Sequence, residues 1–115
     1  MKIKKRMRGT NLGELEELVL LAVAALNDNA YAVTVKSEIE EKADRTLNIS
    51  AVHTSLYRLE DKGFLESEVG GATNTRGGKS KRLFKVTAYG FKVLREAQEL
   101  KQSFWKVIPQ LSAEK

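Results

Sequence analysis

The chain has 115 residues, 42% of them apolar, which suits one globular domain and excludes both a second domain and a disordered chain. With no cysteine and a single histidine, His53, it can build no disulfide scaffold, thiolate zinc site, cysteine nucleophile or histidine cluster, so no metal or cofactor is expected. Its net charge of +5 is uneven: residues 1–13 hold five Lys/Arg and no acid, residues 14–44 eight acids and two bases, and residues 69–95 seven bases and no acid.

Residues 1–10 read as a basic arm carrying Lys2, Lys4, Lys5, Arg6 and Arg8. It is either a solubilising tail or an arm that reaches a polyanion. Gly9, Thr10 and Asn11 followed by Glu14, Glu16 and Glu17 do not make a secretory signal. The longest apolar run, Leu18 to Leu26, is too short to span a bilayer. A cytoplasmic protein without membrane association is expected.

Asn11 followed by Glu14 resembles a capping box. Leu15, Leu18, Val19, Ala22, Ala25 and Leu26 then give one apolar face to a first helix, which Asn27-Asp28-Asn29 stops. A second helix is predicted from about Tyr31 to Ala43 on the stripe Ala32, Val35, Ile39 and Ala43. Ser50 is the expected N-cap of a third helix over Ala51–Lys62, with Gly63 at its C-terminal stop. Val52, Leu56 and Leu59 face one way, and Ala51, Thr54, Ser55 and Arg58 the other.

Phe64–Val69 alternates as a strand, and Leu83–Thr87 forms a second. The glycine-rich residues 70–78 between them are a loop, so the pair is a hairpin with a long basic tip. Thr87 can cap a last helix from Ala88 to about Ile108, which Pro109 ends. The predicted class is mainly α with a small β-hairpin.

Three short helices before a hairpin make a winged helix-turn-helix, here over residues 11–87. Small polar residues let a helix enter the major groove, where side chains reach base edges. Ser50, Thr54, Ser55 and Arg58 are the candidate contacts, with Arg58 suited to a bidentate bond to guanine. Arg76, Lys79, Lys81, Arg82 and Lys85 lie on or beside the hairpin with no acid among them, and suit phosphates. The plain alternatives are a solvated helix face and a soluble loop. A protein-interaction module, whose wing meets an acidic partner, is the competing function class. No nucleophile–base pair or phosphate loop points to an enzyme.

Three stretches resemble the PadR-like transcriptional regulators over roughly residues 11 to 100: Leu12 to Leu20, Leu56 to Ser67, and Gly77 to Gly90. The chain departs from the family's pattern where Ala32 follows Tyr31 in place of glycine, where His53 replaces a tyrosine, and where Lys79 replaces an arginine. His53 is expected to be packed or half-buried. The resemblance implies a homodimeric repressor of double-stranded DNA, with residues 88–109 as the dimerisation helix and residues 110–115 as a tail. Val93, Ala97, Leu100, Phe104 and Val107 make one apolar stripe on that helix, which a second copy would cover; the helix folding back on its own first helix is the alternative. Some members of the family respond to small aromatic molecules, which makes Phe104 and Trp105 candidates for an effector pocket.

Overall fold

The computed structural model describes residues 12–70 and 81–109. The first helix, α1 (Glu14–Leu26), starts at Gly13, whose N–H donates to the Glu16 carboxylate at 3.3 Å. Glu14, Glu16 and Glu17 complement the positive end of the helix dipole. The capping pattern therefore sits two residues later than the Asn11–Glu14 pair suggested, and Asn11 lies outside the described residues. Val19, Leu20, Ala22 and Val23 are buried, while Leu21 and Ala25 leave part of this largely apolar helix exposed.

A 3-10 turn over Asn27–Asn29 ends α1, with Asn27 at a φ of 54°. Ala30 is buried, and its carbonyl accepts from the Phe84 N–H at 2.9 Å. The Tyr31 N–H donates to Thr34 Oγ1 at 3.0 Å, and Thr34 Oγ1 donates to the Asn29 carbonyl at 2.6 Å. These bonds open α2 (Ala32–Ala43), which buries Ala32, Val35 and Ile39. After α2, the N–H of buried Leu47 donates back to Glu40 of that helix at 2.7 Å. That bond, aided by the Lys36 ammonium, holds the Glu40 carboxyl below the usual range.

The third helix, α3 (Ile49–Asp61), is capped by Asn48, whose Oδ1 accepts from the Ser50 N–H at 2.7 Å. Ser50 is thus the donor to the cap and not the cap itself. Gly63, at a φ of 84°, closes α3: its N–H donates to the Glu60 carbonyl, and the Phe64 N–H donates to that of Leu59, both at 2.9 Å. This pair is a Schellman stop, and the left-handed residue in it favours glycine. It delivers the fully buried Phe64 to the core.

Strands β1 (Leu65–Gly70) and β2 (Lys81–Val86) pair antiparallel with Leu65 opposite Val86 and Val69 opposite Arg82. Leu65 and Phe84 close the core that Val19, Leu20, Val35, Val52, Leu56 and Leu59 form between the three helices. The last helix, α4 (Ala88–Val107), is capped by Thr87, whose Oγ1 accepts from the Gly90 N–H at 2.9 Å. The fold is a helical body with a hairpin wing and a long final helix. Among the described residues no helix is long and apolar enough to cross a membrane.

Candidate nucleic-acid interface

The stripe Val52, Ser55, Leu56 and Leu59 buries one side of α3 and turns the rest outward. Ser50, His53, Thr54, Tyr57 and Arg58 are exposed there. Ser55 is not: it is 6% exposed, set between the turns that Val52 and Leu59 occupy on the inner face. It cannot serve as an outer contact, and Ala51 is half-buried. His53 also differs from expectation, because it is exposed and stacked on Tyr57 with ring centroids 6.2 Å apart. Tyr57 in turn meets Phe84 edge-on at 6.2 Å. At 100° per residue, Tyr57 and Thr54 lie near the middle of the outer face, with Arg58 towards α1 and His53 towards the hairpin.

Both flanks of this face carry bases that touch internal groups. On the α1 side, Glu16 accepts from Lys62 Nζ at 2.8 Å and faces Arg58 Nη1 at 3.9 Å. Burial pushes the Glu16 carboxyl up. Hydrogen bonds from Lys62 and Gly13, with the charges of Lys62 and Arg58, outweigh that and hold it below the usual range. On the hairpin side, Ser67 Oγ donates to Glu60 at 2.7 Å and accepts from Arg82 Nη1 at 3.0 Å. Lys81 Nζ lies 4.6 Å from the Tyr31 ring centroid, a cation–π distance that joins the loop end of β2 to the start of α2. Lys85 is exposed on the strand face that Lys81 shares. Arg76 and Lys79 lie outside the described residues.

The residues read as a dimer stripe divide along α4. Val93 is 1% exposed and belongs to this chain's own core, so it cannot meet a second copy. Ala97 is half-buried. Leu100, Phe104, Trp105 and Val107 are each at least 60% exposed. The start of α4 thus folds back on its own body, and beyond it, apart from the Lys101–Glu17 pair, these apolar residues stand exposed.

No family model matches the sequence, and no curated protein does. Solved structures match over most of its length. A PadR-like transcription factor from Bacteroides fragilis has a TM-score of 0.65 at 22% identity, covering 94% of this chain and 100% of that one. The chain has the fold of the PadR-like regulators. A PadR family transcriptional regulator from Eggerthella lenta gives 0.62 at 23% identity, covering 91% of this chain and 83% of that one. RosR from H. salinarum gives 0.66 at 19%, covering 87% and 83%.

Within this PadR-like winged helix, sequence reasoning passed over two residues of the outer face and its rim. Tyr57 was signalled by its place midway round α3 from Val52 and Leu56. Glu16 had only a capping signal, because its partners Arg58 and Lys62 lie far along the chain.

Proposed function

We propose that the chain is a sequence-specific regulator of transcription that binds double-stranded DNA as a homodimer and acts as a repressor, not as an enzyme. The observation that carries this reading is the outer face of α3. Ser50, Thr54 and Tyr57 form an exposed, mainly polar strip between Arg58 and Lys62 on one flank and Arg82 on the other, with Lys81 next to Arg82 in the wing. Side chains of that kind, Arg58 with them, reach base edges, and the cations further out set register on phosphates. In this reading residues 11–87 form the DNA-binding unit in the cytoplasm, Arg76 and Lys79 extend the wing, and residues 1–10 form a basic arm.

The dimer reading rests on the far half of α4. Leu100, Phe104, Trp105 and Val107 leave apolar surface that a second copy would cover by a two-fold interface, with residues 110–115 as a tail beyond it. Phe104 and Trp105 at that seam would line a pocket for a small aromatic effector.

Fluorescence anisotropy of labelled duplexes across a salt series tests the reading. Each phosphate contact steepens the salt dependence by about 0.9 log unit per log of salt. Replacing Lys81 and Arg82 with alanine should weaken binding to all duplexes alike and flatten the slope. A flat salt dependence with no loss in that variant would overturn it and favour an acidic protein partner.

A further inference from the structure

Arg58 stands beside the recognition face already facing an anion of its own protein. Glu16, in the first turn of α1, has a side chain only 11% exposed. Its Oε1 accepts from Lys62 Nζ at 2.8 Å and from the Gly13 N–H at 3.3 Å, which fixes the carboxylate between the start of α1 and the end of α3. Its Oε2 points at Arg58 Nη1 from 3.9 Å without closing on it, and the Arg58 side chain stays 64% exposed. Glu17, the next acid along, faces elsewhere and pairs with Lys101 of α4.

We infer that Glu16 is a specificity-determining positioning residue, whose carboxylate turns Arg58 away from phosphate and towards base edges. The inference rests on the DNA-binding reading above. A phosphate carries a full negative charge and is present at every step of any duplex. Brought to Arg58, it also approaches the Glu16 carboxylate, and two anions sharing one guanidinium repel each other. A guanine edge is neutral. It can accept from Arg58 through O6 and N7 while the carboxylate remains in place. The same acid therefore opposes the contact that carries no sequence information and spares the one that does. Its fixed seat makes this effective, because a solvated, mobile carboxylate would swing aside or be screened.

The test compares a duplex enriched from a random library with a scrambled duplex of equal length. Affinities are read by anisotropy across a salt series for the full chain, Glu16→Gln, Glu17→Gln and Arg58→Ala. Glu16→Gln retains an oxygen to accept from Lys62 and Gly13. It should tighten binding to the scrambled duplex about fivefold, steepen its salt slope by up to about 0.9, and lower the preference ratio to match. Glu17→Gln, with the same change in net charge, should leave the ratio unaltered. Adding Arg58→Ala should abolish the effect of Glu16→Gln. Arg58→Ala alone should erase preference at one base position and leave the salt slope unchanged, a result that does not depend on how Glu16→Gln folds.

An unchanged ratio in Glu16→Gln, an equal effect in Glu17→Gln, or a salt slope that flattens in Arg58→Ala overturns the inference and leaves the DNA-binding reading intact. A wild-type chain that binds neither duplex overturns both.

Discussion

The two halves of α4 are built from similar residues and meet opposite fates. In the first half, the Thr87 N–H donates to the Phe64 carbonyl at 3.0 Å, Thr87 Oγ1 donates to the Gly63 carbonyl at 2.7 Å, and the Tyr89 ring meets Phe64 edge-on at 5.0 Å. Gly90 and Val93 are buried there. In the second half, Leu100, Phe104, Trp105 and Val107 stand in solvent, and the Lys101–Glu17 pair at 2.7 Å reaches back to the body. One amphipathic stripe thus runs from this chain's core onto an exposed surface, the one proposed above to meet a second copy. Periodicity tells which side of a helix is apolar, but not whose atoms cover it.

The strongest way to break this contrast is at the joint. A Cβ at Gly90 would collide with the Phe64 carbonyl oxygen and come within 2.8 Å of Val86 Cγ1. Gly90→Ala should cost about 3 kcal/mol through overpacking and lower the melting temperature by more than about 10 °C. A wild-type melting curve would mean that α4 does not pack this closely on Phe64. Leu100→Asp should leave the fold of the body intact and weaken self-association by a factor of about 30 or more, the size of an interface hot spot. Sedimentation would then show monomers at concentrations where the wild type is dimeric; a persisting dimer would place the seam elsewhere.

The same substitution made in each half sharpens the comparison further. Val93→Ala removes buried methyl groups and should cost about 2 kcal/mol in chemical denaturation. Val107→Ala, 75% exposed, should change the stability of a dilute single chain by less than about 0.5 kcal/mol. Equal effects would erase the distinction. The two anchors of α1 differ in the same sense. Lys101→Ala breaks a half-exposed pair and should cost less than about 1 kcal/mol, an effect that fades as salt is added. Glu16 is more enclosed, and its carboxyl lies below the ordinary range. It therefore stabilises the fold above the usual carboxylate pKa, and that contribution is lost as the pH falls through the lowered value. Glu16→Gln should flatten this acidic limb in pH-dependent melting, and an unaltered limb would show that the Glu16–Lys62 bond contributes nothing to the fold.

The order of the elements was legible because each signal was local. Apolar spacing marked α1, α2 and α3, Thr87 and Gly63 marked a start and a stop, and glycine-rich residues separated two strands. Caps were less legible where two polar residues compete. Asn48 and Ser50 are both good caps, and the backbone took the earlier one. At the site, residue type misled where angle would have served. Ser55 looks like a contact by chemistry, yet it lies three residues after Val52 and four before Leu59, inside the buried stripe. Spacing groups Val93 with the outer stripe because nothing local shows that Gly90 lets α4 approach Phe64 so closely. The Glu16–Arg58–Lys62 cluster and the Tyr31–Lys81 contact join distant segments, so only the packing of helices and hairpin brings them together.

The most direct test of the central claim is selection from a random duplex library at near-physiological salt, followed by sequencing of what the protein retains. A two-fold dimer with α3 in the major groove should enrich an inverted repeat whose half-sites lie about one helical turn, or ~34 Å, apart. A folded protein that enriches no sequence at all would contradict it.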